Sequence, residues 1–165
     1  MNKIELKPDS VFRYFEEICR VPRPSKREEK MIAYLESFGR QHDLETLVDK
    51  AGNVLIKKPA TPGREDRPTV ILQSHIDMVC EKNSDVKHDF LTDPIETVVE
   101  GEWMHAKGTT LGADNGIGVA TELAILTDDS VEHGPLECLF TVDEETGLTG
   151  AFALQKGFIS GDILL

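Results

Sequence analysis

Apolar residues spaced three or four positions apart predict two amphipathic helices near the start of the chain. The first helical pattern covers residues 11–18, is preceded by Asp9 and Ser10, and ends before Pro22, because proline cannot continue a helix. Ser25 and Glu28 have the spacing of a capping box, in which two side chains satisfy free backbone N–H groups at a helix start. We therefore expect the second helix to begin there. Its apolar face would comprise Met31, Ile32, Leu35 and Phe38.

Short apolar runs rich in β-branched residues predict strands, and these runs alternate with helical segments. The predicted strands cover residues 44–48, 54–56, 69–73, 136–142 and 163–165, and a predicted hairpin covers residues 95–99 and 103–106. Two further helices are predicted at residues 116–126 and 151–155. Strands interleaved with helices favour an α/β layer fold with a buried sheet.

Composition and charge narrow the class of protein. The 165 residues fit one domain, and 30 acidic against 18 basic residues give a formal net charge of −12. This excess of negative charge argues against nucleic acid and anionic membranes as partners, because both attract Lys and Arg patches. An acidic surface is the main interpretation, and bound cations could match part of the charge.

The three cysteines are widely spaced and form no paired motif, which favours reduced thiols in a cytoplasmic protein. The sequence has neither the apolar core of a signal peptide at its start nor a run of about 20 apolar residues. Cys80 lies beside the first acidic cluster, so it is either a metal ligand or a buried, inert side chain, and the second interpretation is favoured.

Three short acidic clusters carry the candidate chemistry. They are residues 74–77 (SHID), 112–116 (GADNG) and 143–147 (DEETG). Each follows a predicted strand or precedes a predicted helix, so the loops of an α/β sheet would gather them at one edge. An imidazole and several carboxylates suit divalent metal ions, and the sequence therefore predicts a metal site at that edge.

His75 and Asp77 are two positions apart after a predicted strand, so their side chains would point the same way. The Asp77 carboxylate can then orient the His75 imidazole, as carboxylates do for many metal-bound histidines. A structural histidine, satisfied by its neighbours, is the alternative.

Asp114 lies in a glycine-flanked loop that leads into a helix. Aspartate is a preferred N-cap residue, so Asp114 or Asn115 could cap that helix. The flanking glycines also let the backbone approach closely, which suits a crowded metal site.

Glu144 and Glu145 follow an apolar strand directly. Adjacent carboxylates at a buried strand end are costly unless cations compensate them. In an extended chain the two side chains would point to opposite sides, so one could bind metal while the other faces the attacking water. A solvated charge run is the alternative.

The order of the three clusters resembles the M20 metallopeptidase family of co-catalytic zinc peptidases. Longer strings are similar to its aminoacyl-histidine dipeptidase branch, also called Xaa-His or carnosinase-like dipeptidases. These strings are residues 73–79 (QSHIDMV), 108–116 (GTTLGADNG), 133–137 (HGPLE) and 149–151 (TGA). The departures are Ser74, where many relatives have glycine, and Cys80, where many have proline, and neither is a ligand position.

The resemblance implies roles for five residues. His75 binds one metal ion, and Asp77 is the catalytic-site carboxylate that orients it. Asp114 bridges both ions, and Glu145 binds the second. Glu144 is the general base that takes a proton from the water between the ions, and later the acid.

The resemblance also implies a three-layer α/β sandwich with a central mixed sheet, of the zinc-exopeptidase type. Residues 1–165 would form the N-terminal part of this catalytic domain. The rest of it, a further ligand for each metal ion, and a lid or dimerisation domain would lie outside these residues. The full-length protein would be a cytoplasmic homodimer that hydrolyses Xaa-His dipeptides, and this chain alone would be inactive.

The expected cofactors are two divalent ions, with zinc preferred and manganese or cobalt as alternatives, since mixed nitrogen and oxygen ligands suit all three. Two other functions stay open. One is another di-zinc exopeptidase, a tripeptidase or an aminopeptidase. The other is a non-catalytic interaction module on the same fold, against which the joint presence of His75, Asp114, Glu144 and Glu145 argues.

Overall fold

The computed structural model describes residues 6–165, which contain four helices and seven strands. The helices are α1 (Asp9–Cys19), α2 (Glu29–Gln41), α3 (Ala113–Thr127) and α4 (Thr149–Ala153). The strands are β1 (Glu45–Val48), β2 (Val54–Lys58), β3 (Val70–His75), β4 (Thr97–Glu100), β5 (Trp103–Ala106), β6 (Leu136–Thr141) and β7 (Ile163–Leu164). Each helix and strand predicted from the sequence overlaps one of these elements.

Five strands form a mixed sheet in the order β1-β2-β6-β3-β7. β3 runs parallel to β6 and β7, whereas β2 runs antiparallel to β1 and β6. β4 and β5 form a separate antiparallel hairpin, as predicted. His75 at the end of β3 pairs with Thr141 at the end of β6, so the segments after both strands leave the sheet at the same edge.

Core residues lie on both faces of the sheet, because successive side chains of a strand point to opposite sides. On one face Val54 and Ile56 join the main core with side chains of α1, α2 and α3. On the other face Leu55, Ile71 and Leu139 form a smaller cluster. The residues that pack against the smaller cluster are Leu154, Phe158 and Ile159. The predicted layered α/β fold with a central mixed sheet is confirmed.

The connection between α1 and α2 differs from the prediction. α2 begins at Glu29, and no side chain caps its first turn. Lys26 has a left-handed backbone with φ of 67°, which turns the chain between Ser25 and Glu28. The Ser25 hydroxyl instead donates to Asp77 Oδ2 at 2.7 Å. The capping box was therefore a wrong interpretation of these two side chains.

All three cysteines are free thiols, and Cys19 and Cys138 are buried. The Cys80 thiol donates to the carbonyl of Met78. Burial raises the pKa of the Cys80 thiol, so the thiolate that a metal would need is harder to form. Across residues 6–165, no helix is both long and apolar enough to cross a membrane.

Candidate metal centre

The three acidic clusters meet at the edge of the sheet where β3 and β6 end. His75 Nε2 lies 3.1 Å from Asp114 Oδ1, which is contributed by the start of α3. The same nitrogen lies 3.8 Å from Glu144 Oε2, which follows β6. One imidazole nitrogen thus faces a carboxylate from each of the other two clusters.

The three residues predicted as metal ligands form one group. His75, Asp114 and Glu145 each offer a ligand atom, and these atoms all lie within 4.8 Å of one another. A cleft opens beside them, lined by Gln73, His75, Asp114, Asn115, Thr141, Val142, Glu144, Leu148 and Ala151. His75 and Asp114 of this group therefore face the cleft, together with Glu144.

Asp114 does not cap α3. Its backbone lies outside the helical region, with φ of −88° and ψ of 111°, and no side chain caps this helix end. The Asp114 side chain is 88% exposed and is directed towards His75. The preceding Gly112 has a left-handed φ of 70°, which a side chain would strain. The geometry thus favours the metal interpretation of Asp114 over the capping one.

Asp77 is fully buried and connects the segments that carry His75 and the two glutamates. Its carboxylate accepts hydrogen bonds from the backbone N–H groups of Glu144 at 3.0 Å and Glu145 at 3.2 Å, besides the bond from Ser25. Its Oδ1 also lies 3.3 Å from His75 Nδ1. Burial alone would raise the pKa of Asp77, but the bonds from His75, Glu144, Ser25 and Glu145 hold the pKa at about 2.

The surroundings of His75 define which ring nitrogen carries the proton. Nδ1 faces two acceptors of Asp77, its carbonyl at 3.2 Å and its carboxylate at 3.3 Å. In the neutral imidazole, Nδ1 would therefore keep the proton, and the lone pair of Nε2 would be available to a metal ion. This is the arrangement of a metal-binding histidine supported by a carboxylate.

The electrostatics of the site favour a cation at His75. Burial would lower the pKa of His75, but the hydrogen bonds with Asp77 and Asp114 and the charge of Glu144 raise it to about 9. Burial also raises the pKa of Glu145, His75 lowers it, and the charges of Asp114, Glu144 and Asp77 raise it further. Negative charge that favours a proton on His75 and Glu145 also attracts a divalent ion, and the imidazole and carboxylate donors fit a metal.

The backbone around Glu144 and Glu145 is a turn, whereas we expected an extended chain. Asp143 has a left-handed φ of 50°, and the following residues turn towards α4. Both glutamates consequently lie near His75 and do not diverge to opposite sides. The expected convergence is confirmed, and the expected local geometry is wrong.

Sequence reasoning missed three residues that contact this site. Arg23 donates to the carbonyls of Ile76 and Gly112, Ser25 donates to Asp77, and Glu28 accepts from the N–H of Asp143. An arginine between two prolines, Pro22-Arg23-Pro24, was the available signal for the first. Nothing in the sequence indicated that Ser25 and Glu28 contact the site, because the capping-box pattern already explained both residues.

A mixed sheet with histidine and carboxylates gathered at one edge is the arrangement of a metallopeptidase. The pattern of the peptidase family M20/M25/M40 matches residues 71–162. This chain belongs to that family.

The chain is similar to individual members of known peptidase groups. It is 48% identical over 161 residues to the cytosol non-specific dipeptidase of Escherichia coli (strain K12). Its fold matches the crystal structure of aminoacylhistidine dipeptidase from Vibrio alginolyticus with a TM-score of 0.94 and 52% identity. A tripeptidase from Staphylococcus aureus, with a TM-score of 0.79 and 21% identity, shares the fold.

The chain spans about one third of the length of the Escherichia coli and Vibrio proteins to which it is similar. The match covers 98% of this chain and 33% of the Escherichia coli dipeptidase. For the Vibrio structure the coverage is 96% of this chain and 32% of that protein, and for the Staphylococcus structure it is 98% and 43%.

Proposed function

We propose that this chain belongs to a metal-dependent dipeptidase that cleaves Xaa-His dipeptides, carnosine-like ones included. The single observation that carries the proposal is the convergence of His75, Asp114 and Glu145 within 4.8 Å, with the Glu144 carboxylate beside them. These residues come from three segments that are far apart along the chain, so the fold, and not their proximity in sequence, brings them together. The names of the Escherichia coli and Vibrio relatives support a dipeptide substrate.

The donor set suits two divalent ions, with zinc as first choice. His75 and Asp114 would hold one ion, and Asp114 and Glu145 the other, with Asp114 shared. When bound, such ions polarise a peptide carbonyl and lower the pKa of a bound water. Catalytic zinc normally has three protein ligands, so each ion needs one more. We therefore propose that residues 1–165 form the N-terminal part of the catalytic domain.

Glu144 is suited to the role of general base. Its side chain is 34% exposed and borders the cleft, so an attacking water could reach its carboxylate. Its backbone N–H is fixed by Asp77, which holds the residue at the edge of the site. Glu144 would take a proton from the water and pass it to the leaving amine.

The proposal extends to location and assembly. The Escherichia coli relative is a cytosol dipeptidase by name, and the thiols of this chain are free, so we place the protein in the cytosol. We also propose that the full-length protein is a homodimer, as the family resemblance implies. Light scattering on the purified full-length protein tests the dimer directly.

The substrate is tested by an activity panel on the full-length protein. Purified protein is supplied with Zn²⁺, Mn²⁺ or Co²⁺ and given Xaa-His dipeptides, dipeptides without histidine, and tripeptides. We expect Xaa-His dipeptides to be cleaved with the highest kcat/KM.

Each of the other results of this activity panel would indicate a different function. Equal cleavage of dipeptides without histidine would reject the Xaa-His preference and keep the dipeptidase, in line with the name of the Escherichia coli relative. Faster cleavage of tripeptides would indicate a different di-zinc exopeptidase. A full-length protein that binds no metal and cleaves no peptide would be an interaction module.

A further inference from the structure

The connector between α1 and α2, residues 20–28, contacts the segment that follows β3 beside the metal centre. Arg23 and Pro24 lie alongside the segment that follows β3: the N–H of Met78 donates to the Arg23 carbonyl at 3.1 Å, and Pro24 pairs with Met78. Three side chains of the connector are directed inward from this position. They are Arg23, Ser25 and Glu28, and Arg23 and Glu28 are buried.

Arg23 joins two of the ligand-bearing segments. Its Nη1 donates to the carbonyl of Ile76 at 3.2 Å, between His75 and Asp77, and its Nη2 donates to the carbonyl of Gly112 at 2.8 Å, two residues before Asp114. A planar guanidinium presents its donors in a rigid fork, so these two bonds fix the spacing of the two segments.

The loop that carries Asp114 is shaped around this guanidinium. A Cβ atom at Gly112 would lie 2.6 Å from Arg23 Nη2, and one at Gly116 would lie 2.8 Å from the same atom. Both distances are too short for a real contact. The glycines on either side of Asp114 therefore give the arginine the room it needs to reach this loop.

Glu28 and Asp77 together hold the third segment of the site, residues 143–145, which follows β6. Glu28 Oε1 accepts the N–H of Asp143 at 3.0 Å, and Asp77 accepts the next two N–H groups, those of Glu144 and Glu145. Ser25 fixes Asp77 in turn at 2.7 Å. Three successive N–H groups thus have carboxylate acceptors, and one of these acceptors belongs to the connector.

Holding Arg23 in place is energetically costly. The side chain is 2% exposed, and within residues 6–165 no carboxylate forms an ion pair with it. Its bonds go to backbone carbonyls, and its Nε atom is buried without a partner. A buried charge is costly unless it is well satisfied, so an apolar side chain would serve packing alone better.

We propose that Arg23, Ser25 and Glu28 are positioning residues that set the spacing of the three ligand-bearing segments of the metal centre. This inference rests on the proposed metallopeptidase function. The three residues touch neither metal nor substrate in this account, and they act through His75, Asp114 and the Glu144–Glu145 turn. Changing them should weaken metal binding and alter metal geometry in a protein that is still folded.

The test uses Co²⁺ titration of the full-length protein, because the visible absorption of Co²⁺ reports its coordination geometry. We expect Arg23→Met, Ser25→Ala and Glu28→Ala each to lower Co²⁺ affinity and to change the absorption bands. The expected loss is about 10–100-fold for Arg23→Met, the usual effect of removing a group that supports metal ligands. Glu28→Gln keeps an oxygen acceptor and should recover most of the loss in Glu28→Ala.

The same stretch of chain supplies matched controls. Arg27 and Glu29 form an exposed ion pair at 3.7 Å and do not reach the site. Arg27→Met and Glu29→Ala should bind Co²⁺ like the wild type with an unchanged spectrum. If Arg23→Met does not fold, the inference is tested by Ser25→Ala and by the comparison of Glu28→Ala with Glu28→Gln, since these are smaller changes.

Three results would count against the inference, and they are distinguishable. If the wild type binds Co²⁺ and cleaves dipeptides but the folded connector variants have its affinity and spectrum, the connector has only a structural role. A wild type that neither binds Co²⁺ nor cleaves any peptide would overturn the proposed function as well. Lowered thermal stability with unchanged Co²⁺ binding also counts against the positioning role.

Discussion

The backbone N–H of Glu144 donates to Oδ1 of Asp77 at 3.0 Å, and the same oxygen lies 3.3 Å from His75 Nδ1. One buried carboxylate therefore orients the imidazole and holds the backbone of the proposed base. The two segments that follow β3 and β6 are coupled through Asp77, so a change there should affect both.

Asp77→Ala should lower metal affinity and activity together, by about 10–100-fold in affinity. The variant removes one of the two acceptors that face His75 Nδ1, and it removes the acceptor of the Glu144 and Glu145 N–H groups. Isothermal titration with Zn²⁺ and a dipeptide assay on the full-length protein measure the two effects. Wild-type affinity in Asp77→Ala would mean that the ligands hold their positions without this carboxylate.

Glu144→Gln should keep the fold and the metal content but reduce turnover by about 10²–10⁴-fold, because an amide cannot accept the proton from water. The measurements are kcat for a dipeptide and elemental analysis of the purified variant. Glu102→Gln is a control, since Glu102 is exposed on the β4–β5 hairpin. Near-normal turnover in Glu144→Gln would remove this residue from the mechanism.

Asp114→Ala should reduce metal content at both sites, whereas Glu145→Ala should affect one. The difference follows from the proposed sharing of Asp114, whose Oδ1 lies 3.1 Å from His75 Nε2. Elemental analysis of the two variants side by side gives the stoichiometry. An unchanged metal content in Asp114→Ala would reject the bridge.

The sequence was sufficient to predict the elements that depend on local patterns. Apolar periodicity located α1 and α3, and short β-branched runs located β3 and β6, because these segments bury whole faces in the core. The convergence of the acidic clusters followed from the position of each cluster at the end of a predicted strand or the start of a predicted helix.

Sequence reasoning could not predict contacts whose partners are far away along the chain. Ser25 bonds to a residue 52 positions away, and Glu28 bonds to one 115 positions away. Both side chains matched a local capping pattern, and the tertiary partners prevailed over it. The turn at Asp143 was missed for a similar reason, since Glu28 and Asp77 fix its backbone from other segments.

Glu122 provides a test of stability that is independent of metal. This carboxyl is buried on α3 near Ser74 and Cys138, and its Oε2 has no hydrogen-bond partner. Burial raises the pKa of Glu122 well above its ordinary value of 4.5. As pH rises above that value, the unfolded chain releases this proton while the folded chain keeps it, so the free energy of unfolding falls.

Glu122→Met should therefore stabilise the protein at pH 7, by about 1–3 kcal/mol, the cost of an unsatisfied buried polar group. The gain should shrink at pH 4, where the carboxyl is protonated in the folded state and largely protonated in the unfolded state. Denaturant titrations of both proteins at the two pH values measure it, with exposed Glu102→Met as control. A gain that is the same at both pH values would contradict the pKa argument.

Residues 1–165 alone should bind metal weakly and cleave no dipeptide. Each ion would have two ligands from these residues, His75 with Asp114 or Asp114 with Glu145, where catalytic zinc normally has three. Zn²⁺ titration and a dipeptide assay on the isolated segment measure both properties. Hydrolysis by this segment, above a Glu144→Gln control, would reject the proposed ligand count.

The most direct test of the central claim is a titration of activity with metal. The full-length protein is stripped of metal with a chelator, and Zn²⁺ is added back while hydrolysis of an Xaa-His dipeptide is followed. We predict no hydrolysis in the stripped protein and full recovery at two equivalents of Zn²⁺ per chain. Undiminished hydrolysis by protein that elemental analysis shows to be free of metal would contradict the account.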